Sequence, residues 1–274
     1  FLIGLMEGGW LKIVGWIYGI GVALILYSVF IEPRRLKVTR YREALVARPE
    51  TWLRLVFISD LHAGAFRSSA WYERVAIEAQ AHNPDVLILG GDYVTDVATS
   101  IAEIAPLAKV KAHLGRYFLL GNHDFRDNPA LIRRTLKGWG LVDATNRNLC
   151  LTKDRRVLQV TFVDDSWHGH PEIGLLRADQ KLPHLTVTHE PDIVLDLSQA
   201  DTDVYICGHT HAGQIRLPVI GSLVPLPTNL GRCADRGRKI VNGVPVIVSQ
   251  GCGESDLRAR LFAPAELVVL ELGI

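Results

Sequence analysis

Residues 207–211 of the chain read Cys207-Gly208-His209-Thr210-His211. This stretch places two imidazoles two residues apart, directly after an apolar run that extends from Asp203 to Ile206. A short apolar run bounded by turn-forming residues predicts a buried strand. The two histidines therefore follow the carboxyl end of a predicted strand, which is where α/β sheets form their binding sites.

Four other stretches of the chain have the same construction, a short apolar run that ends in side chains able to bind a metal ion. The runs are Leu55–Ile58, Val86–Leu89, Tyr117–Leu120 and Leu185–Thr188. The stretches that follow them are Ser59-Asp60-Leu61-His62, Gly90-Gly91-Asp92, Gly121-Asn122-His123-Asp124 and His189-Glu190-Pro191. We therefore predict one site built from the ends of several strands.

The motifs D-x-H, G-D, G-N-H-(E/D), a lone His and G-H-x-H occur here in that order. This pattern resembles the calcineurin-like metallophosphoesterase family, and every ligand position of the pattern is filled. The resemblance extends from about Arg54 to the C-terminus. It is closest to the small membrane-associated bacterial branch, which the Ala212-Gly213-Gln214 stretch and the tail from Leu261 to Glu266 resemble. It implies an α/β fold, a sandwich of two mixed β-sheets flanked by helices.

The resemblance also implies a dinuclear metal site. Hydrolysis of a phosphate ester or anhydride needs charge neutralisation and a hydroxide at neutral pH, and two divalent ions about 3.5–4 Å apart supply both. By the resemblance, Asp92 bridges the two ions. The remaining ligands are Asp60, His62 and His211 for the first ion, and Asn122, His189 and His209 for the second. Imidazole, carboxylate and amide ligands favour manganese, with iron or zinc as alternatives.

His209 and His211 lie on one segment, which we expect to be extended, so that both side chains point the same way. His123 resembles the family's histidine that contacts the substrate phosphate or protonates the leaving oxygen, a role that suits a group titrating near neutrality. We expect Asp124 to orient it, as carboxylates do for catalytic histidines. A single buried histidine is more often a core residue, so the assignment depends on the whole set of motifs.

The composition sets limits on the function. With 274 residues and 48% hydrophobic residues, the chain can form one large domain or two small ones. The formal net charge of +1 gives no reason to expect a nucleic-acid partner. The four cysteines have no C-x-x-C spacing, which argues against a disulfide scaffold, and Cys207 has the position of a small core hydrophobe.

An apolar run near the N-terminus predicts a membrane anchor. Ile13 to Ile31 is nineteen residues without a charge, long enough to cross a bilayer as a helix, although a buried core helix is the alternative. Glu32-Pro33-Arg34-Arg35 follows, which is typical of a stop and not of a signal-peptide cleavage site. We expect residues 1–36 to be the anchor and residues 37–274 the phosphoesterase domain. The chain begins at Phe1 without methionine, which leaves open whether residues precede it.

The charges on either side of the apolar run predict its orientation. Glu7 and Lys12 precede it, whereas seven basic residues follow it: Arg34, Arg35, Lys37, Arg40, Arg42, Arg48 and Arg54. Because the positive side stays in the cytoplasm, we expect an inner-membrane protein whose catalytic domain faces the cytoplasm. These basic residues can also contact anionic headgroups, or be ordinary solvated charges.

The first half of the domain alternates predicted strands and helices, as in a parallel α/β arrangement. Helices are predicted over Ser69–His82 with Ser68 as the cap, over Ala98–Ala112, and over Pro129–Lys137. The second half is richer in strands, predicted at Leu158–Val163, Leu185–Thr188, Val204–Cys207, Val244–Ser249 and Glu266–Leu272.

Several further residues have two interpretations each. Asp164 and Asp165 either line the substrate cleft or lie in a solvated loop, and His168 and His170 are expected at the surface. The basic residues after the last motif either hold a second phosphate or a lipid headgroup, or are solvated: Arg232, Arg236, Arg238 and Lys239. Four aromatic residues near the motifs either receive acyl chains or belong to the core: Phe66, Trp71, Phe125 and Trp167.

The expected function is a membrane-anchored, metal-dependent phosphohydrolase that cleaves a phosphoester or pyrophosphate bond. Its substrate is a phosphorylated small molecule or a lipid, with a nucleotide-linked glycolipid such as UDP-2,3-diacylglucosamine as one hypothesis. A phosphodiesterase or phosphomonoesterase of broad specificity is the alternative. A non-catalytic binding module would show eroded metal ligands, and none is eroded here.

Overall fold

The computed structural model of the chain describes residues 2–177 and 181–274. Its N-terminal helix α1, Leu2–Leu26, continues as a π-helical turn, Tyr27–Ile31, and a 3-10 turn, Glu32–Arg34. The segment Gly9–Arg34 has a mean hydropathy of 2.1 and its apolar window is only 6% buried. It is therefore long and apolar enough to cross a membrane. The alternative of a buried core helix is wrong for this segment, because the rest of the described chain leaves it exposed.

Two further α-helices flank the first sheet, α2 at Ser69–Ala81 and α3 at Pro129–Gly138. Both agree with the predicted helices to within one residue at each end. Ser68 occupies the predicted N-cap position of α2, but its hydroxyl makes no capping hydrogen bond. The N-cap residue of α3, Asn128, does make a capping hydrogen bond, because its Oδ1 accepts from the Leu131 N–H at 3.0 Å.

The helix predicted from about Ala98 to Ala112 is present as a 3-10 helix, Ala98–Lys109, which ends three residues earlier than predicted. Pro106 lies inside it, and a proline has no N–H to donate and clashes with the carbonyl one turn before it. Shorter 3-10 turns occur at Asn122–Phe125, Ile173–Arg177, Asp192–Asp196, His211–Gly213 and Gly231–Ala234.

The described residues form two large sheets and one small hairpin. In chain order, strands β1 to β14 are Leu36–Ala44, Trp52–Ile58, Val86–Gly90, Arg116–Leu119, Val142–Asp143, Arg147–Lys153, Arg156–Phe162, His184–Val187, Val204–Cys207, Arg216–Leu217, Gly221–Ser222, Gly237–Val241, Val244–Val248 and Ala265–Gly273. The first sheet has the order β1-β14-β2-β3-β4-β5 and the second β12-β13-β9-β8-β7-β6, while β10 and β11 pair separately. Both large sheets mix parallel and antiparallel pairs, which confirms the predicted sandwich.

The main core lies between the two sheets. Side chains such as Leu55 and Phe57 of β2 pack there against Leu185 of β8 and Ile206 of β9, all fully buried. Helices α2 and α3 cover a second apolar cluster on the outer face of the first sheet. Strands β2, β3 and β4 run parallel to one another, as do β8 and β9. Their carboxyl ends are therefore held in fixed positions by two buried apolar faces.

Candidate metal centre

The structure brings the predicted ligands together at the carboxyl ends of five strands. Two groups of three side chains each have ligand atoms within 4.8 Å of one another. The groups are Asp60, His62 and His211, and Asp92, His189 and His209. A third group, His62, Asp92 and His123, overlaps both in position. Asn122 is buried beside them, and its Oδ1 has no hydrogen-bond partner among the described residues. A buried amide oxygen without a donor fits a cation ligand.

Asp92 lies between the two groups. Its Oδ1 accepts a hydrogen bond from the His123 N–H at 2.8 Å, which fixes the rotation of the carboxylate. Its Oδ2 is 3.6 Å from Nε2 of His62 and 3.2 Å from Nε2 of His189. Burial works against its ionised form, but the charge of His189 and its hydrogen bond to the carboxylate hold the pKa of Asp92 well below its usual range. One ionised oxygen therefore faces both groups, as a bridging ligand requires.

Backbone carbonyls orient two of the histidines. Nδ1 of His189 lies 2.8 Å from the Gly90 carbonyl oxygen, and Nε2 of His209 lies 2.9 Å from that of Pro227. A ring N–H that donates to a carbonyl leaves the other ring nitrogen with a free lone pair. Both residues can thus present an unprotonated nitrogen to an ion.

His62 and His211 are placed to share one cation. Their Nε2 atoms are only 3.0 Å apart, and both rings are buried. Burial lowers the pKa of both imidazoles, and the effect is reinforced by His211 for His62 and by Arg260 for His211. Metal ligands must be neutral imidazoles, so this environment favours the form that binds. The set of nitrogen and oxygen donors as a whole fits divalent ions.

The backbone at the ligands is unusual. Five of the seven predicted ligands have φ in the left-handed region, at 54° for Asp60, 47° for His62, 52° for Asp92, 70° for His209 and 49° for His211. Such values are uncommon for residues other than glycine and cluster at functional sites. The expected extended segment through His209 and His211 is therefore wrong: it bends at both histidines, which directs one to each group.

Two motif glycines permit this packing. A Cβ on Gly121 would collide with Oδ1 of Asp92, and a Cβ on Gly208 would collide with Oδ2 of Asp60. The glycines of these motifs therefore allow the neighbouring strand end to approach a ligand carboxylate closely.

Asp124 does not have the role expected for it. Its carboxylate accepts hydrogen bonds from the N–H groups of Asp92 at 2.9 Å, Tyr93 at 2.8 Å and Gly121 at 2.9 Å. His123 is instead oriented by Thr95, whose carbonyl oxygen lies 2.8 Å from Nδ1. Asp124 holds the ends of β3 and β4 together, so it is a positioning residue for Asp92.

A cleft of about 280 Å³ opens onto the centre. His123 lines it together with Asp92, Asn122, His209 and His211, and its walls include Arg126, Trp167, Val224, Pro225 and Pro227. The guanidinium of Arg126 is a cation at the mouth that sequence reasoning missed. It lies three residues after His123, but no motif position demands it. Its only described ion pair is with the exposed Asp96, at 2.9 Å.

The basic residues after the last motif do not reach this cleft. Arg232, Arg236, Arg238 and Lys239 line another cavity, of about 640 Å³, whose lining includes none of the predicted ligands. The expectation that they hold a phosphate beside the metal ions is therefore wrong.

The acidic pair and the aromatic residues are also placed by the structure. Asp165 is buried and its Oδ1 accepts hydrogen bonds from the N–H groups of Trp167 and His168, so it shapes the loop and neither lines the cleft nor is solvated. Asp164 is buried and accepts a hydrogen bond from the N–H of His170, with the same effect. His168 and His170 are exposed, as predicted. Of the aromatic set Phe66, Trp71, Phe125 and Trp167, the last lines the cleft, and its ring centroid is 4.8 Å from that of His209.

Arg260 supports the centre from behind and was missed because no local pattern marks it. It is fully buried and donates hydrogen bonds to the carbonyl oxygens of Gln250 at 2.9 Å and Ala263 at 2.8 Å. Its Nη2 is 3.4 Å from Nδ1 of His211, and its Nε is 3.6 Å from Oε1 of the buried Glu254. It fixes the loop after β13 against His211.

The chain is similar in sequence to a known protein family and to several of its members. The model of the calcineurin-like phosphoesterase family matches residues 53–213. The metallophosphoesterase YkuE of Bacillus subtilis is 25% identical over 90% of this chain and 88% of its own length. The phosphodiesterase YaeI of Escherichia coli is 27% identical, with 71% and 74% covered.

Two further likenesses concern architecture. A zebrafish transmembrane protein with a metallophosphoesterase domain is 27% identical over 80% of this chain and 53% of its own length. The crystal structure of TT1561 of Thermus thermophilus superposes with a TM-score of 0.51 at 12% identity, covering 74% of this chain and 92% of that one. The latter likeness shows the fold alone.

Proposed function

Because this chain belongs to the calcineurin-like phosphoesterase family, whose members are dinuclear metal-dependent hydrolases, we propose that it cleaves a phosphodiester or pyrophosphate bond in a membrane-embedded substrate. A nucleotide-linked glycolipid such as UDP-2,3-diacylglucosamine is the specific candidate. The observation that supports this choice is the cleft itself, in which apolar walls of Trp167, Val224, Pro225 and Pro227 stand over the metal ligands.

The side chains available as ligands suggest which residues would hold each ion. Asp60, His62 and His211 would hold one divalent ion, Asn122, His189 and His209 the other, and Asp92 both. We propose manganese, with iron or zinc as alternatives, because imidazole and oxygen donors occur without a thiolate. The ions would neutralise charge on the phosphoryl group and lower the pKa of the attacking water.

The remaining steps belong to side chains at the mouth of the cleft. With Nδ1–H of His123 donated to the Thr95 carbonyl oxygen, Nε2 of the imidazolium faces the cleft and gives its proton to the leaving oxygen. Arg126 offers a planar cation for phosphoryl oxygens that do not react.

A soluble phosphodiester is the alternative substrate, and the similarity to YaeI, a phosphodiesterase, is consistent with it. We expect kcat/KM to be higher for the glycolipid in mixed micelles than for p-nitrophenyl phosphate or bis-p-nitrophenyl phosphate. Anchoring beside the bilayer raises the effective concentration of a lipid substrate, and the apolar walls contact its chains. Equal or better cleavage of the soluble esters would leave a general phosphoesterase.

Trp167→Ala is the matched variant for this comparison. It removes apolar wall without touching a carboxylate or a backbone hydrogen bond of the centre, so we expect kcat/KM for the lipid to fall roughly 10-fold. The value for p-nitrophenyl phosphate should change much less. A parallel loss for both substrates would assign Trp167 to the support of His209 and not to lipid contact.

We further propose that residues 1–36 anchor the chain in the inner membrane and that residues 37–274 form the catalytic domain in the cytoplasm. The basic residues that follow the apolar segment support this orientation. Reporter fusions after Ile274 test it: a cytoplasmic reporter should be active and a periplasmic one inactive. The reverse pattern would overturn the orientation and remove the reason for a cytoplasmic lipid substrate.

A further inference from the structure

The β10–β11 hairpin carries apolar side chains at its tip that nothing in the described chain covers. Val219 is fully exposed and Ile220 is 53% exposed. Val219 also has φ of 69°, a value that is strained for a β-branched residue. Exposed apolar side chains presented by a strained turn are typical of an interaction site.

This tip lies beside the end of the apolar N-terminal helix. A cavity of about 470 Å³ is lined by Tyr27 and Arg35 on one side and by Val219 and Phe262 on the other. Phe262 is 41% exposed, and the helical segment itself presents an exposed Phe30. The tip, Phe262 and the end of the helical segment thus form one continuous surface, here called the neck surface.

The helix is fixed to the domain at this point. Glu32 is buried, and its Oε1 accepts a hydrogen bond from the Ala263 N–H at 2.7 Å. The Arg260 N–H donates to the Ser28 carbonyl oxygen at 2.9 Å. A helix that crosses the bilayer fixes the distance between the membrane surface and the residues attached to it. Because the hairpin is rigidly connected to the helix, its distance from the membrane surface is fixed as well. If the helix crosses the membrane, the tip of the hairpin lies at the membrane interface.

Positive charge is concentrated next to the neck surface. The cavity of about 640 Å³ adjoins the smaller one, since Arg216 and Arg236 line both. Its lining has six cationic side chains and two carboxylates: Lys37, Arg216, Arg232, Arg236, Arg238 and Lys239, with Asp235 and Glu266. Arg216 is paired with Asp235 at 2.6 Å and Arg238 with Glu43 at 2.5 Å, whereas Arg232, Arg236 and Lys239 have no carboxylate partner among the described ion pairs. A bound anion would compensate these remaining positive charges.

We propose that the neck surface docks onto the bilayer, with Val219 and Ile220 inserted at the interface and the basic cavity holding the phosphate of an anionic phospholipid. Charge complementarity and continuity with the apolar helix select this occupant. The inference rests on the proposed membrane crossing of the helix, but not on any substrate. It has a consequence for the site, because Val224, two residues after β11, lines the cleft over the metal ligands and so brings the mouth of that cleft close to the lipid surface.

The first test measures contact with lipid. The full chain is placed in nanodiscs of phosphatidylglycerol and phosphatidylcholine with the photoreactive residue benzoylphenylalanine at position 219. The control carries it at Val142, which is also exposed but lies on β5, at the opposite edge of the first sheet from β1. We expect lipid adducts by mass spectrometry at position 219 and at most a tenth as many at position 142. Equal yields at the two positions would overturn docking.

The second test measures the lipid site by native mass spectrometry of the full chain in detergent, titrated with phosphatidylglycerol or phosphatidylcholine. The double variant R232Q/K239Q should weaken phosphatidylglycerol binding by about 10- to 30-fold. The control R134Q/K109Q removes two exposed cations that lie outside both cavities and should change nothing. Equal binding of the two lipids, an unaffected R232Q/K239Q variant, or displacement of the lipid by equimolar inorganic phosphate would each overturn the lipid site.

Neither test measures hydrolysis, so the result is independent of the substrate proposal. The membrane crossing is checked separately, because a chain anchored by its helix stays in the membrane fraction after carbonate extraction. A chain that is extracted by carbonate would refute the anchor, whereas a retained chain without adducts at position 219 would refute docking alone.

Discussion

Asp92→Asn is expected to lower kcat/KM by about 10³-fold or more and to reduce the bound metal. The asparagine keeps the shape, and its amide oxygen can still accept the hydrogen bond from the His123 N–H. An amide NH₂ then replaces Oδ2, the atom that faces His62 and His189. A donor in that position repels a cation, and the lost charge stabilisation amounts to several kcal/mol of the barrier.

Metal content by mass spectrometry and kcat/KM for bis-p-nitrophenyl phosphate check this expectation together. Asp196→Asn is the control, because Asp196 is exposed at the end of a 3-10 turn and belongs to none of the groups of candidate ligands. A thermal unfolding curve of each variant checks that both proteins fold. Full metal stoichiometry with an unchanged rate in Asp92→Asn would refute the bridging role.

His123→Ala is the second large effect, and it separates chemistry from metal binding. The His123 ring lines the cleft and packs edge-on against His62, with centroids 4.7 Å apart. If His123 protonates the leaving oxygen, its loss lowers kcat roughly 10²–10⁴-fold while both ions stay bound. The loss should be smallest for p-nitrophenyl esters, whose leaving group needs little protonation.

His170→Ala serves as the control, since that imidazole is exposed. The competing interpretation is that His123 binds a metal ion, because it forms the third group of candidate ligands with His62 and Asp92. A His123→Ala protein that loses an ion and shows the same loss for good and poor leaving groups would make His123 a metal ligand.

The strands could be predicted from the sequence because they are short apolar runs with polar ends, whereas the sandwich was implied by the family that the motifs resemble. Each run is a strand in the structure, and each motif follows its carboxyl end, as at Asp60 after β2 and His189 after β8. The period of burial and the position of the turn residues carry this information locally. The predicted ligand groups met in space for the same reason.

What could not be predicted depends on contacts between distant parts of the chain. Asp124 is adjacent to His123 in sequence, yet its carboxylate accepts hydrogen bonds from four backbone N–H groups that only the folded sheet brings near. Arg260 reaches His211 from another loop, and Glu32 reaches Ala263 across most of the chain.

The 3-10 conformation of Ala98–Lys109 has a local cause instead. It reflects a single proline, Pro106, within an otherwise helical pattern.

Because the backbone is left-handed at the ligand positions, metal binding should affect the local stability of the edge of the molecule that carries the ligands. Each such residue costs of order 1–3 kcal/mol relative to a relaxed conformation. We expect the strained loops to lower the local stability of this edge when no ion is bound, so that it opens and exchanges its amide hydrogens more readily. Ions that bind only the closed form stabilise it by mass action. The same ions that are proposed to drive hydrolysis would thus complete the folding of the loops that hold them.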